Sequence, residues 1–297
     1  MTFNIWNSGI NVEDGLYKIA KHIRLIDPDI VALQEVEYPD TIQNLLEKLG
    51  GTYTGVATTA DYPNVGIVTK HRLNTSSVSM TSSSTAIGVE VHLWSGQVIN
   101  FWCLHLDYHS YGPYAANNKQ VTDISQILAG EIPKSQTGRV NNILELLKTS
   151  TFKKAINNKK IPLIVCGDFN VPSHLDWITS TKNFHGGWEI RWPATYLLQT
   201  TTGLIDTFRE IHPDPAKTPG ITWSTVHNAS GSEWDYLIPE PLDRIDFIFR
   251  KGDQLKTTDS FVYSGTEELK NIPNHSHNDY PSDHFAVVSD FQLTLAQ

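Results

Sequence analysis

The chain has 297 residues, 39% hydrophobic and 19% charged, the composition of an ordinary globular protein rather than a disordered one. Acids outnumber bases by 32 to 23, for a net charge of −9, and no basic run occurs. This argues against a surface built to grip nucleic-acid phosphates, although an acidic site can still be offset by a local basic patch.

No stretch approaches the ~20 apolar residues that a membrane span needs. The length is ample for a sizeable core, as one large domain or two smaller ones. Because no linker-like stretch and no fixed-period repeat is visible, a single domain over residues 1–297 is expected.

In chain order, residues 2–7 offer a short strand bearing an amide, Asn4. Leu16, Ile19, Ala20, Ile23 and Ile26 recur at helical spacing, and Pro28 stops that helix before an apolar strand over 30–33 that runs into Gln34-Glu35. Ile42, Leu45, Leu46 and Leu49 repeat the helical pattern, ended by Gly50-Gly51. Strands are predicted over 65–69, 87–94 and 98–105, the last pair turning at Ser95-Gly96. Helices are predicted over 118–128 and 140–156, the second with Val140, Ile143, Leu144, Leu147 and Phe152 on one apolar face. Then come a strand over 161–166, a short capped helix over 173–178, and strands at 222–223, 245–249 and 285–293. Mixed helices and strands imply an α/β or α+β sandwich.

Polar clusters recur at the strand edges. The run Pro162-Leu163-Ile164-Val165-Cys166-Gly167-Asp168-Phe169-Asn170 is an apolar strand that ends in a glycine, an acid and an amide. Alternation along extended chain places Asp168 and Asn170 on one side, at the strand end where α/β folds place chemistry. Glu35 ends another apolar strand, and His105 ends a third in Leu104-His105-Leu106-Asp107-Tyr108-His109. Asp243-Arg244-Ile245-Asp246 opens a fourth, and Ser282-Asp283-His284 precedes the last. Alone, Gly-Asp-x-Asn can be a polar turn closing a core strand, and Gln-Glu a solvent-facing strand end.

Together and in this order, the clusters resemble the endonuclease/exonuclease/phosphatase superfamily of DNase I-like nucleases, neutral sphingomyelinases and inositol polyphosphate 5-phosphatases. The resemblance runs from Asn4 to Asp290. It implies a DNase I-like fold of two packed mixed β-sheets flanked by helices. It also implies Mg²⁺, with Mn²⁺ or Ca²⁺ as substitutes, held by Glu35 with Asn4 beside it and Asp283 contributing through water. By the same resemblance Asp168 orients or deprotonates the attacking water, and Asn170 hydrogen-bonds a phosphate oxygen. Asp246 would fix the His284 tautomer, with His284 acting as a base or as a cation bracing the phosphate, while His105 would stabilise the pentacoordinate phosphorus. Arg139, His109 and Trp223 are further candidates for touching substrate, against plainer readings as surface or packing residues.

The chain departs from each named subfamily. Phe169-Asn170-Val171-Pro172-Ser173 and Pro241-Leu242-Asp243-Arg244 lack the head-group elements of the 5-phosphatases. Gly-Asp-Phe-Asn is shared with the sphingomyelinases, and loops carrying Trp188, Trp192, Tyr196, Trp234 and Tyr236 could touch lipid or simply pack.

The expectation is therefore a metal-dependent phosphoesterase that hydrolyses a phosphodiester or phosphomonoester of a small molecule or lipid head group. The alternatives are a DNase- or AP-endonuclease-like nuclease and a catalytically degenerate binding module. Cys103 and Cys166 read as reduced core thiols. Because Met1 stands directly before the first strand, a longer precursor whose export signal has been removed is expected, and with it a secreted or periplasmic location.

Overall fold

The computed structural model describes residues 1–132, 138–229 and 237–294, so Trp234 and Tyr236 lie outside the described residues. Two six-stranded sheets pack face to face. The first contains β1 (Thr2–Asn4), β2 (Ile30–Val36), β3 (Thr54–Ala57), β4 (Asn64–Thr69), β11 (Leu255–Tyr263) and β12 (Ala286–Leu293), in the order β11-β12-β1-β2-β4-β3. The second contains β5 (Arg72–Met80), β6 (Ala86–His92), β7 (Val98–His105), β8 (Leu163–Asp168), β9 (Ile205–Asp206) and β10 (Asp246–Lys251), in the order β5-β6-β7-β8-β10-β9. Both are mixed: β1 runs parallel to β2 and β7 parallel to β8, while their other pairings are antiparallel.

The two-residue period of a strand sorts the apolar side chains into layers. On β7 and β8, Phe101, Cys103, Ile164 and Cys166 face the inter-sheet core, where they meet Ala32, Val65 and Ile67 of the other sheet. Their neighbours Trp102, Leu104, Leu163 and Val165 face outward, against α5 (Arg139–Lys148), α6 (Ser150–Asn157) and α7 (Pro193–Thr202). On the opposite side, Val31 and Leu33 of β2 lie under α1 (Gly15–Ile26) and α2 (Thr41–Leu49). Cys103 and Cys166 are free and buried, and burial pushes the Cys103 thiol up to about 12. Among the described residues no helix is long and apolar enough to cross a membrane.

Several predicted elements are corrected. The helix expected over 118–128 is instead α3 (Gly112–Asn117), started early by Pro113, and α4 (Ile124–Ile127), opened by an Asp123–Gln126 capping box. Lys119, at φ 54°, separates them. The helix expected over 140–156 breaks at Thr149, whose ψ of 123° is extended. Within α5 the buried face carries Val140, Ile143 and Leu146 and leaves Leu144 exposed, and after the break α6 turns Phe152 and Ala155 inward. Residues 173–178 form turns: the Ser173 hydroxyl accepts from the Leu175 amide as a cap would, but no helix follows. The strand expected at 222–223 is an isolated bridge in which Trp223 pairs with both Asp243 and His284.

Candidate active site

Register brings the polar strand ends together. Asn4 pairs with Gln34 across β1 and β2, His105 with Asp168 across β7 and β8, and Asp168 with Asp246 across β8 and β10. At the end of β2 the ladder with β4 slips between Gln34 and Val36, leaving Glu35 as an unpaired bulge residue at φ 58°. Such a bulge re-aims a side chain out of the alternation of its strand. The Glu35 carboxylate accepts from Asn4 Nδ2 at 3.0 Å and from the Asn7 amide at 2.7 Å. Burial raises its pKa and the charge of Asp283 raises it further, while His105 and His284 pull it down.

Asp168 is the hub. Its Oδ2 lies 3.0 Å from Asn4 Nδ2, 3.6 Å from His105 Nε2 and 3.7 Å from His284 Nε2. Its Oδ1 accepts from the Asn170 amide at 2.8 Å, closing a turn in which Asn170 takes φ 51°. The strand has already ended, so this turn and not alternation places Asn170 beside Asp168. The preceding residue must be glycine: at φ 149°, a Cβ on Gly167 would lie 1.9 Å from the Leu104 carbonyl oxygen.

Two histidines flank the hub, each oriented by its other nitrogen. His284 Nδ1 stands 3.0 Å from Asp246 Oδ2, and both side chains are buried. Burial alone would depress the imidazolium, but Asp246 and then Asp168 outweigh it and hold the pKa well above the ordinary value. His105 Nδ1 stands 2.6 Å from Asn64 Oδ1 and, facing a carbonyl oxygen, must carry a proton. Asn64 is fixed in turn by donating to the Ser84 carbonyl.

The remaining candidates fall into place differently. Asn4 is a bridge between Glu35 and Asp168, and its Oδ1 already accepts from the Trp6 amide. His109 is exposed, stacked on Tyr108 and 2.7 Å from Asp107. Trp223 lies beside the hub, its ring centroid 4.7 Å from that of His284.

Arg139 is corrected both as a helix-surface residue and as a clamp for substrate phosphate. It is buried, donating to the carbonyls of Asn170, Tyr108 and Gly130, with Glu131 at 3.5 Å. It therefore ties together the segments that follow β7 and β8. Trp192 and Trp188 stand in loops, as expected, and pack in or on the core beneath the second sheet.

Burial pushes the Glu131 carboxyl up to about 7, Arg139 offsetting this only in part. The native state thus keeps a proton that the unfolded chain releases near pH 4.5. The resulting stability is complete below that pH and is lost as pH rises through about 7. Glu131→Gln removes this titration, so its melting temperature relative to wild type should rise between pH 5 and pH 8. A difference that stays constant across that range would contradict the assignment.

Sequence reasoning missed Asn64, His227, Tyr111 and Glu240. His227 Nε2 lies 3.3 Å from Asp283 Oδ2. Tyr111 and Glu240 line a cavity of about 270 Å³ beside His284. They sit in loops with no periodicity, so only the closed fold brings them to the site.

The donor set fits a hard divalent cation. Burial and the charge of Asp283 both raise the cost of ionising Glu35, and Asp283 Oδ1 has no hydrogen-bond partner among the described residues. Carboxylate oxygens of this kind suit Mg²⁺, which keeps most of its waters. Asp168, Asp246 and His284 also present ligand atoms within 4.8 Å of one another.

No protein-family model matches the chain. Uncharacterized protein F14F9.5 of Caenorhabditis elegans is 52% identical over 294 residues, covering 98% of this chain and 90% of the nematode protein. Among solved structures, an endonuclease/exonuclease/phosphatase family protein from Bacteroides thetaiotaomicron superposes with a TM-score of 0.62 at 16% identity, covering 99% of this chain and 97% of that one. A mannosyl-6-phosphatase from the same organism gives 0.61 at 16%, covering 98% and 97%. An AP endonuclease from Archaeoglobus fulgidus gives 0.56 at 18%, covering 98% of each chain. These likenesses run the whole length and share the two-sheet fold.

Proposed function

The chain belongs to one family with the nematode protein and has the fold of the endonuclease/exonuclease/phosphatase superfamily, and from this we propose that it is a Mg²⁺-dependent hydrolase of phosphoester bonds. One observation carries the proposal: Asp168 Oδ2 is shared among Asn4, His105 and His284 at the converging strand ends, next to the Glu35–Asp283 pair. Fold alone does not specify chemistry; this geometry supports it.

Glu35 and Asp283 would hold the metal, with Asn4 holding Glu35 in place. When bound, the ion neutralises charge that grows on the phosphoryl and leaving oxygens. Asp168 Oδ2 orients the attacking water and takes its proton as the new O–P bond forms and the ester O–P bond breaks. His284, set between Asp246 and Asp168, stands as a cation against the phosphoryl oxygens, with His105 on the other side. Asn170 Nδ2 has a second hydrogen beyond the one given to the Leu106 carbonyl, and an amide can meet a phosphate oxygen without adding repulsive charge.

The substrate is proposed to be a small phosphorylated molecule or a lipid head group. With a net charge of −9, duplex DNA is repelled at low salt, whereas one phosphate is neutralised locally. At matched Mg²⁺ and low ionic strength, kcat/KM on the best small ester should exceed that per site on plasmid DNA. Efficient nicking that weakens steeply with added salt would instead establish the nuclease reading, to which the likeness to an AP endonuclease points.

A further inference from the structure

The two carboxylates that face the metal place are held differently. Glu35 accepts from Asn4 Nδ2 and from the Asn7 amide. Asp283 is buried, and among the described residues one side chain donates to its carboxylate: His227, whose Nε2 lies 3.3 Å from Oδ2. Oδ1 is left without a hydrogen-bond partner there. A ring nitrogen facing a carboxylate oxygen carries a proton, so His227 donates through Nε2 even when neutral.

The loop that carries His227 is built onto the Asp283 segment. The Thr225 amide donates to the Asp283 carbonyl at 2.9 Å, and Thr225 Oγ1 donates to the Ser282 carbonyl at 2.9 Å. The Phe285 amide returns a bond to the Thr222 carbonyl at 2.8 Å. A turn closed by the His227 amide on Ser224 Oγ, at 3.0 Å, fixes where the ring leaves the backbone. Trp223 and Trp6 both contact that ring, with centroids 5.3 and 5.9 Å away. Packing therefore sets where the imidazole stands, and its hydrogen bond sets which Asp283 oxygen is occupied.

We propose that His227 is a positioning residue for the divalent ion: by holding Oδ2 it keeps Asp283 Oδ1 free to meet the ion beside Glu35. His227 is not itself a ligand, because its Nε2 is committed to Asp283 and Mg²⁺ takes oxygen donors. A partner that orients a ligating carboxylate governs metal affinity without touching the metal. The inference rests on Glu35 and Asp283 being the metal ligands of the phosphoesterase reading.

Binding of Mn²⁺ to EDTA-stripped protein without substrate, followed by loss of the free-ion EPR signal and by calorimetry, tests this apart from turnover. His227→Phe keeps an aromatic ring against Trp223 and Trp6 and removes the donor. His227→Gln removes the ring and keeps an amide donor of similar reach. His227→Phe should weaken Mn²⁺ binding by about 10- to 100-fold, the usual cost of losing a partner that orients a metal ligand. His227→Gln should recover most of that loss, and the Mg²⁺ needed for half-maximal turnover should follow the same order. Melting in chelator confirms that each variant is folded, and His227→Leu replaces His227→Phe if that variant is not. A variant without the donor that binds Mn²⁺ as tightly as His227→Gln, or more tightly, would overturn the inference and leave the phosphoesterase reading standing. The expected order in a protein that hydrolyses no phosphoester would support the positioning role while that reading failed. Wild-type protein that binds no Mn²⁺ would overturn both.

Discussion

Replacing His284 with Ala is expected to lower kcat by about 10²- to 10³-fold, the usual scale for losing a charge stabiliser or general base. The imidazole is buried, held by Asp246 on one nitrogen and facing Asp168 on the other, and the described residues place no lysine or arginine on the cavity wall to substitute for it. Asp246→Asn should do much of the same damage with little change in KM, because it disturbs the charge and tautomer of the same ring. The two residues act as one unit, so the double variant should be little worse than His284→Ala alone. Losses that multiply in the double variant would break the proposed pairing.

Glu35→Gln should raise the Mg²⁺ needed for half-maximal activity by at least about tenfold, since a neutral amide is a poorer ligand for a hard divalent cation than a carboxylate. The bulge that turns Glu35 out of β2 is a backbone feature, so the variant keeps the placement and loses only the charge. The same variant removes the repulsion between Glu35 and Asp283. It should therefore melt no lower than wild type in chelator, while gaining less from added Mg²⁺. A metal titration superimposable on that of wild type would remove Glu35 from the site.

How much was legible in the sequence depended on where each residue sits. Asp168 and Glu35 stand at the ends of apolar strands and His284 just before the start of another, so the apolar runs pointed to these three, while the resemblance added His105 and Asp246. The two sheets followed from the resemblance, because a run such as Phe101-Trp102-Cys103-Leu104 is apolar on both faces and does not itself show which side meets the other sheet. Helix boundaries were harder. A single residue, Thr149 in extended conformation, divides one apolar-periodic run into α5 and α6, and nothing in the local pattern marks that break.

Partners supplied by loops were the least visible. Glu240 reaches Trp223 from a loop whose geometry depends on the finished fold, and Asn64 reaches His105 from the first residue of β4, a placement that only the packing of the two sheets makes. Arg139 shows the opposite error. An arginine at a helix start looks solvent-facing, yet three carbonyls from separate segments close over it. Its charge is spent on holding the site's loops together rather than on substrate.

Metal-assisted hydrolysis at the Asp168–His284 centre is the central claim, and turnover of bis-p-nitrophenyl phosphate by the intact protein measures it most directly. Protein stripped with EDTA and dialysed should be inactive, and stoichiometric to millimolar Mg²⁺ or Mn²⁺ should restore activity, with Glu35→Gln lagging wild type in the titration. Full turnover after chelation, or none at any concentration of either ion, would contradict it.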